Sequence, residues 1–110
     1  MKDDRLYLEH IREAIQKIAS YSAGGWEEFS RNPMAQDAIL RNFEIIGEAT
    51  NRLDDALKTR HPNVPWREIA GFRDVLIHNY MGVNLKRVWN VIEKDLPSLR
   101  QAVEELLATG

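Results

Sequence analysis

Apolar residues recur every three or four positions along most of the chain, which is the period of a helix. Asp3 or Asp4 can cap a first helix, which we expect to run to about Tyr21. Glycines at 24–25 end it, and residues 26–29 are expected to form only a short helical turn. The apolar positions of the first helix are Leu8, Ile11, Ile15 and Ile18, flanked by Tyr7, Ala14 and Tyr21.

The longest helix is predicted to begin at Asn32 and Pro33, because asparagine is a favourable cap and proline fits the first helical position. Its apolar stripe extends for more than twenty residues without a glycine pair or a proline. The stripe comprises Ala35, Ala38, Ile39, Phe43, Ile46, Ala49, Leu53 and Leu57.

The rest of the chain is also predicted to be helical. Residues 64–69 begin a new helix that we expect Gly71 to interrupt before it continues. Gly82 and Asn84 are expected to end that helix and cap the next, and Pro97 to kink or divide the last helical stretch. No segment alternates with period two. The pattern predicts an all-α, up-down helical bundle of four to five main helices in a single domain, residues 1–110.

Composition narrows the functional classes. The chain has 110 residues and no cysteine, which excludes disulfides and thiolate metal sites. No apolar run is long enough to span a membrane and no signal-type segment is seen, so we expect a cytoplasmic protein without membrane contact. A net charge of −2 argues against indiscriminate coating of nucleic acid. Cations nevertheless crowd residues 58–87, which permits a basic cleft on an acidic protein.

The densest chemistry lies in residues 73–80. Arg73 is followed after four residues by His78, and Tyr80 follows two positions later. On a regular helix Asp74 and His78 are neighbours, whereas Arg73 and His78 diverge by about 140°. Arginine and histidine therefore converge only if the helix loosens at His78, as Asn79 permits, or if two copies face each other across a two-fold axis.

These residue types suit cleavage of RNA through its own 2′-hydroxyl. His78 titrates near neutrality and can act as general acid or base, and Arg73 can offer paired donors to phosphate oxygens. Tyr80 can orient the substrate or stack on a base. Neither a metal nor a cofactor is needed. The same residues also admit a structural interpretation, in which Arg73 pairs with a surface acid and His78 caps the helix end.

A wider stretch carries a family resemblance. Residues 64–80, preceded by residues 41–49, resemble the HepT-like toxin branch of the HEPN superfamily in the order and separation of both motifs. The resemblance implies a dimeric helical bundle in which two Arg-x4-His motifs form a cleft that cleaves RNA without metal. Arg73 and His78 would be catalytic, and Asn42, Glu48, Asp74 and Asn79 are further candidates for the cleft.

The resemblance also implies a partner. Toxins of this branch are typically encoded beside an MntA-type nucleotidyltransferase antitoxin, which silences them by transferring AMP to the motif tyrosine, here Tyr80. Two alternatives stay open. The chain can be a non-catalytic binding or scaffold partner of a nucleotidyltransferase, or a structural bundle whose motif is a buried polar network. Glu48 also lies four residues before Arg52, the spacing of an ordinary surface ion pair. Messenger RNA and transfer RNA are equally open as substrates.

Overall fold

The protein is an all-helical bundle, as predicted. A computed structural model describes the backbone of residues 2–78 and 84–109 and the side chains of residues 4–72 and 84–109. These ranges contain helices and no strand, and none of the helices is both long and apolar enough to cross a bilayer. The elements are α1 (Lys2–Tyr21), α2 (Gly25–Arg31), α3 (Pro33–Arg52), α4 (Asp55–Thr59), α5 (Trp66–His78), α6 (Leu85–Lys94) and α7 (Leu96–Thr109).

The two longest helices, α1 and α3, form the centre of the bundle. Their apolar stripes face each other, and Ile11, Ile18, Ile39 and Ile46 are at most 1% exposed. The predicted start of α3 is confirmed, because the Asn32 side chain accepts a hydrogen bond from the backbone N–H of Ala35 at 3.1 Å. The core is therefore built where the helical period of the sequence placed it.

Two hydrogen bonds bring the first turn of α1, the end of α3 and the end of α7 to one end of the bundle. The Asp4 carboxylate accepts a hydrogen bond from the backbone N–H of Asp54 at 3.2 Å. Arg5 donates to the carbonyl of Leu107 at 3.2 Å. Because α4 and the start of α5 follow α3 at this end, α5 runs antiparallel to α3, which gives the predicted up-down order.

An aromatic cluster marks the opposite end. Phe29 of α2 is 1% exposed, and its ring centroid lies 5.3 Å from that of Trp89 in α6. Trp26 lies 6.0 Å from Phe29 and 6.1 Å from Trp89. Asn84 caps α6 here by accepting hydrogen bonds from the backbone N–H groups of the next turn, as predicted. The chain that follows the Arg-x4-His motif therefore enters α6 at the α2 end of the bundle.

Two predicted helix starts are wrong. Since α1 begins at Lys2, Asp4 lies inside the helix, and its carboxylate binds the joint between α3 and α4 instead of capping α1. Residues 26–29 were expected to form only a short turn, but they belong to the seven-residue α2. The wide apolar surface of Phe29 and Trp26 stabilises this helix by packing against α6.

Two predicted interior features are also wrong. The long helix ends at Arg52, because Leu53 is extended (φ −71°, ψ 145°) and the Asp54 side chain caps the short α4. Leu53 and Leu57 remain buried, but from two separate elements. Gly71 does not interrupt α5, which is continuous around it. The break near Pro97 is confirmed as a division, because α6 ends at Lys94 and α7 begins at Leu96.

Candidate functional site

The helix that carries the Arg-x4-His motif is anchored to the core up to the residue before the motif. The indole N–H of Trp66 donates to the carbonyls of Lys58 and His61 at 3.1 and 3.0 Å. Phe72 is 6% exposed and packs edge-on against Phe43 of α3, with centroids 5.2 Å apart. The backbone that leads into the motif is thus fixed at two points.

The motif itself lies on α5. The backbone is helical at Arg73, Asp74 and His78, so the sequence-based geometry holds: Asp74 and His78 share one side of the helix, whereas Arg73 and His78 diverge by about 140°. No loosening of the helix occurs up to His78. Convergence of arginine and histidine within a single α5 is therefore not provided by the backbone of residues 66–78.

The remaining motif residues lie outside the part of the chain that the structure describes. These are Asn79 and Tyr80, predicted as a cleft residue and as the regulatory tyrosine. Their assignments stay predictions.

Asn42 and Glu48, the two predicted cleft residues of the long helix, lie on the side of α3 that faces α1. Asn42 is 6% exposed, donates to the carbonyl of Ala38 at 2.8 Å, and lines a groove of about 250 Å³. Glu48 is exposed and lines an adjoining groove of about 320 Å³. Among the residues whose side chains are described, only members of α1 and α3 line these two grooves.

Charges along the α1–α3 grooves are neutralised in place. Glu48 accepts from Arg52 at 3.2 Å, as the alternative interpretation of the sequence predicted, and Arg41 pairs with Glu44 at 3.4 Å. Tyr7 and, to a smaller extent, Glu48 raise the pKa of Arg52 above its ordinary value. These grooves therefore present paired charges rather than a cationic surface.

The first turn of α6 is different. Lys86 and Arg87 are both exposed, no acidic residue lies in that turn, and the Asn84 side chain accepts from both of their backbone N–H groups, at 2.9 and 3.3 Å. The Lys86 ammonium lies 4.5 Å from the centroid of the Trp26 ring. Neither cation forms an ion pair with any residue in the described ranges.

Sequence reasoning assigned the tryptophans only to the core or an interface and did not single out the Trp26–Lys86 contact. The available signal was two cations directly after the predicted Asn84 cap, where acidic residues are normally favoured. At the other end of α6, partial burial and, to a smaller extent, Glu68 raise the pKa of Asp95, while Lys94 lowers it.

Comparisons with known proteins agree over nearly the whole chain. A family profile described as "Ribonuclease HepT-like" matches residues 11–106. A protein of Caldanaerobacter subterraneus subsp. tengcongensis named a "Putative RNase" is 43% identical, and the match covers 97% of this chain and 96% of that protein. A "Probable ribonuclease HepT" of Thermococcus cleftensis is 42% identical, with 91% and 92% covered. No solved structure matches the chain.

One relative is longer. The "Gamma-glutamylcyclotransferase and putative RNase" of Methanocaldococcus jannaschii is 38% identical over 107 residues. The match covers 96% of this chain but 48% of that protein. This chain therefore spans about half the length of that relative.

Proposed function

The chain belongs to the HepT-like ribonuclease family of the HEPN superfamily, and from this membership we propose that it is an endoribonuclease with Arg73 and His78 as its catalytic residues. The observation that carries the proposal is the family match across residues 11–106, which includes the helix with the Arg-x4-His motif. The domain acts as one unit, residues 1–110, and its substrate is RNA.

The proposed reaction needs only the RNA and the protein side chains. The 2′-hydroxyl oxygen attacks the adjacent phosphorus, the bond from phosphorus to the 5′-oxygen breaks, and the products carry a 2′,3′-cyclic phosphate and a 5′-hydroxyl. His78 transfers protons at these oxygens because its pKa range lies near neutrality. Arg73 donates to the phosphate oxygens, where negative charge accumulates in the transition state. No metal takes part in this scheme.

We further propose that the active site forms between two copies. A regular helix through His78 separates the directions of Arg73 and His78 by about 140°, and this supports a cleft in which the arginine of one copy works with the histidine of the other. Asp74 neighbours His78 on α5 and is placed in the same cleft.

The proposed regulation acts on Tyr80. A cognate MntA-type nucleotidyltransferase antitoxin transfers AMP to the phenol, and the bulky anion two positions from His78 blocks the cleft and repels RNA. In this scheme the chain is the toxin of a toxin–antitoxin pair.

Substitution of the motif tests the catalytic assignment. We expect Arg73→Ala and His78→Ala each to abolish cleavage of a mixed RNA substrate, measured by gel and by mass spectrometry of the end groups. Arg67→Ala and His10→Ala, which remove exposed residues of the same types, serve as matched controls and should cleave like the parent. Cleavage should persist in excess chelator. Loss of activity in chelator contradicts the metal-free scheme, and a parent that only binds RNA supports the non-catalytic alternative.

Mixing the two inactive variants tests the shared cleft. If each site takes arginine from one copy and histidine from the other, an equal mixture regains about a quarter of the parent activity, because half of the dimers are mixed and half of their sites are complete. No recovery after subunit exchange indicates that a single copy holds both residues. For regulation, incubation with the nucleotidyltransferase and ATP should add AMP mass to the Tyr80 peptide, whereas Tyr80→Phe should remain unmodified.

A further inference from the structure

We propose that Lys86 and Arg87, with Lys86 held over Trp26, form a subsite that binds backbone phosphates of the RNA strand beside the cleaved bond. The inference rests on the proposed ribonuclease function and extends it, because it assigns substrate binding to residues outside the Arg-x4-His motif. The two side chains stand next to each other in the first turn of α6, and both are exposed.

The position of Lys86 is set by an aromatic surface. Its ammonium lies 4.5 Å from the Trp26 ring centroid, a distance at which a cation is attracted to the face of an indole. Trp26 is in turn fixed by the rings of Phe29 and Trp89. The long lysine side chain is thereby held at a defined place on the surface, which lowers the entropy cost of binding a ligand.

The charges are not explained by the stability of α6. Cations at a helix N-terminus are disfavoured by the helix dipole, and Lys86 and Arg87 have no carboxylate partner among the described residues. The Asn84 side chain already bonds the backbone N–H groups of this turn, so the ligand is met by the two cationic side chains. A polyanion would relieve the repulsion that the turn carries in the free protein.

The location also fits a strand of RNA that passes the motif. Asn84 follows His78 by six positions, so their Cα atoms lie no more than about 21 Å apart. On the other side of Trp26, Glu27 and Glu28 are exposed acids of α2. These carboxylates repel a phosphate backbone, so the strand runs from Lys86 toward α5 and away from α2.

Binding of an uncleavable strand tests the subsite without relying on the catalytic assignment. The probe is a fluorescent, unstructured 2′-O-methyl RNA oligonucleotide, which lacks the attacking hydroxyl. We expect Lys86→Gln and Arg87→Gln each to weaken binding roughly three- to tenfold near 0.1 M salt. The slope of log affinity against log salt should decrease by about 0.7 for each phosphate that is no longer neutralised. Lys94→Gln, at the other end of α6, is the matched control and should change neither quantity.

A second measurement separates binding from folding. Removing cations from the helix N-terminus should leave the thermal midpoint of the Gln variants equal to that of the parent or higher, since the dipole disfavours those charges. Trp26→Leu should weaken binding only while Lys86 is present, so the double variant with Lys86→Gln should bind no worse than Lys86→Gln alone. Additive effects of the two substitutions would show that Trp26 does not position the lysine.

The outcomes distinguish this inference from the function on which it rests. A parent protein that neither cleaves RNA nor binds the probe overturns both proposals. A parent that cleaves RNA, with Lys86→Gln and Arg87→Gln unchanged in affinity and salt slope, overturns the subsite and leaves the ribonuclease function standing. A decrease in affinity equal to that of Lys94→Gln contradicts a localised subsite, because it reports only the change in total charge.

Discussion

The α1–α3 face and the first turn of α6 both carry exposed cations but treat them differently. On α1 and α3, Arg5, Arg41 and Arg52 each pair with a glutamate three or four positions away, at 3.2 to 3.5 Å. In α6, Lys86 faces an indole, and neither it nor Arg87 has a carboxylate partner among the residues described. Local pairing, rather than net charge, decides which surface can attract a polyanion.

This difference assigns separate roles to the two regions. Exposed pairs spaced three or four residues apart contribute only a few tenths of a kcal/mol to a helix, and they cancel the field that would draw RNA. Unpaired cations contribute nothing to the helix and keep their charge available for a ligand. The grooves of α1 and α3 therefore belong to the stable centre of the bundle, whereas the start of α6 belongs to its proposed binding surface.

The largest effect is expected from giving the α6 cations a partner. Asn90 is exposed and lies four positions after Lys86 and three after Arg87, so Asn90→Glu places a carboxylate within reach of both. We expect affinity for the 2′-O-methyl probe to decrease roughly three- to tenfold. Gln16→Glu on α1 adds the same charge elsewhere and should have little effect. Equal decreases in the two variants would erase the contrast between the regions.

An intermediate effect is expected inside α3. The Thr50 hydroxyl is fully buried and has no hydrogen-bond partner within the described part of the chain. Because Thr50→Val keeps the shape and removes the unsatisfied group, it should raise the free energy of unfolding by about 1 kcal/mol in urea titrations. Probe affinity should not change. A change in affinity at this site would contradict the division into a stabilising and a binding region.

The smallest effect concerns the other end of α6. The pKa of Asp95 is raised from its ordinary 3.8, mainly by partial burial. The folded protein therefore retains a proton that the unfolded chain releases, and the stability due to this group falls as the pH rises above 3.8 through the raised pKa. Asp95→Asn avoids this decrease and should be more stable at pH 7 by roughly a few tenths of a kcal/mol, given solvent screening.

Urea midpoints of Asp95→Asn and the parent at about pH 3 and about pH 7 check this sign. The gain should shrink at the lower pH, where the carboxyl is protonated in both states. A gain that is equal at the two pH values would show that titration of Asp95 is not its cause.

Local signals made much of the fold predictable. The Asn32 and Asn84 caps and the apolar stripes of α1 and α3 depend on neighbours within a turn or two, and the structure confirms them. The end of α3 could not be predicted because Leu53 and Leu57 keep the helical period across a backbone turn. Periodicity reports burial, and two elements at an angle can bury the same stripe.

The candidate site was predictable only in its covalent part. The spacing of Arg73 and His78 fixed their angular separation on α5, and the helical backbone agrees. The contact of Lys86 with Trp26 joins α6 to α2, and no short-range pattern encodes it. Gly71 shows the converse: a glycine typical of helix breaks stays helical because packing at Trp66 and Phe72 holds both sides.

The hydrogen bonds from Asp54 to Asp4 and from Arg5 to Leu107 have a practical consequence for handling the protein. They keep both chain ends at the pole opposite the start of α6. A tag, a surface tether or a whole additional domain attached at either end would project away from the proposed RNA-facing pole. Immobilised protein should therefore bind the probe as well as free protein does, whichever terminus is tethered.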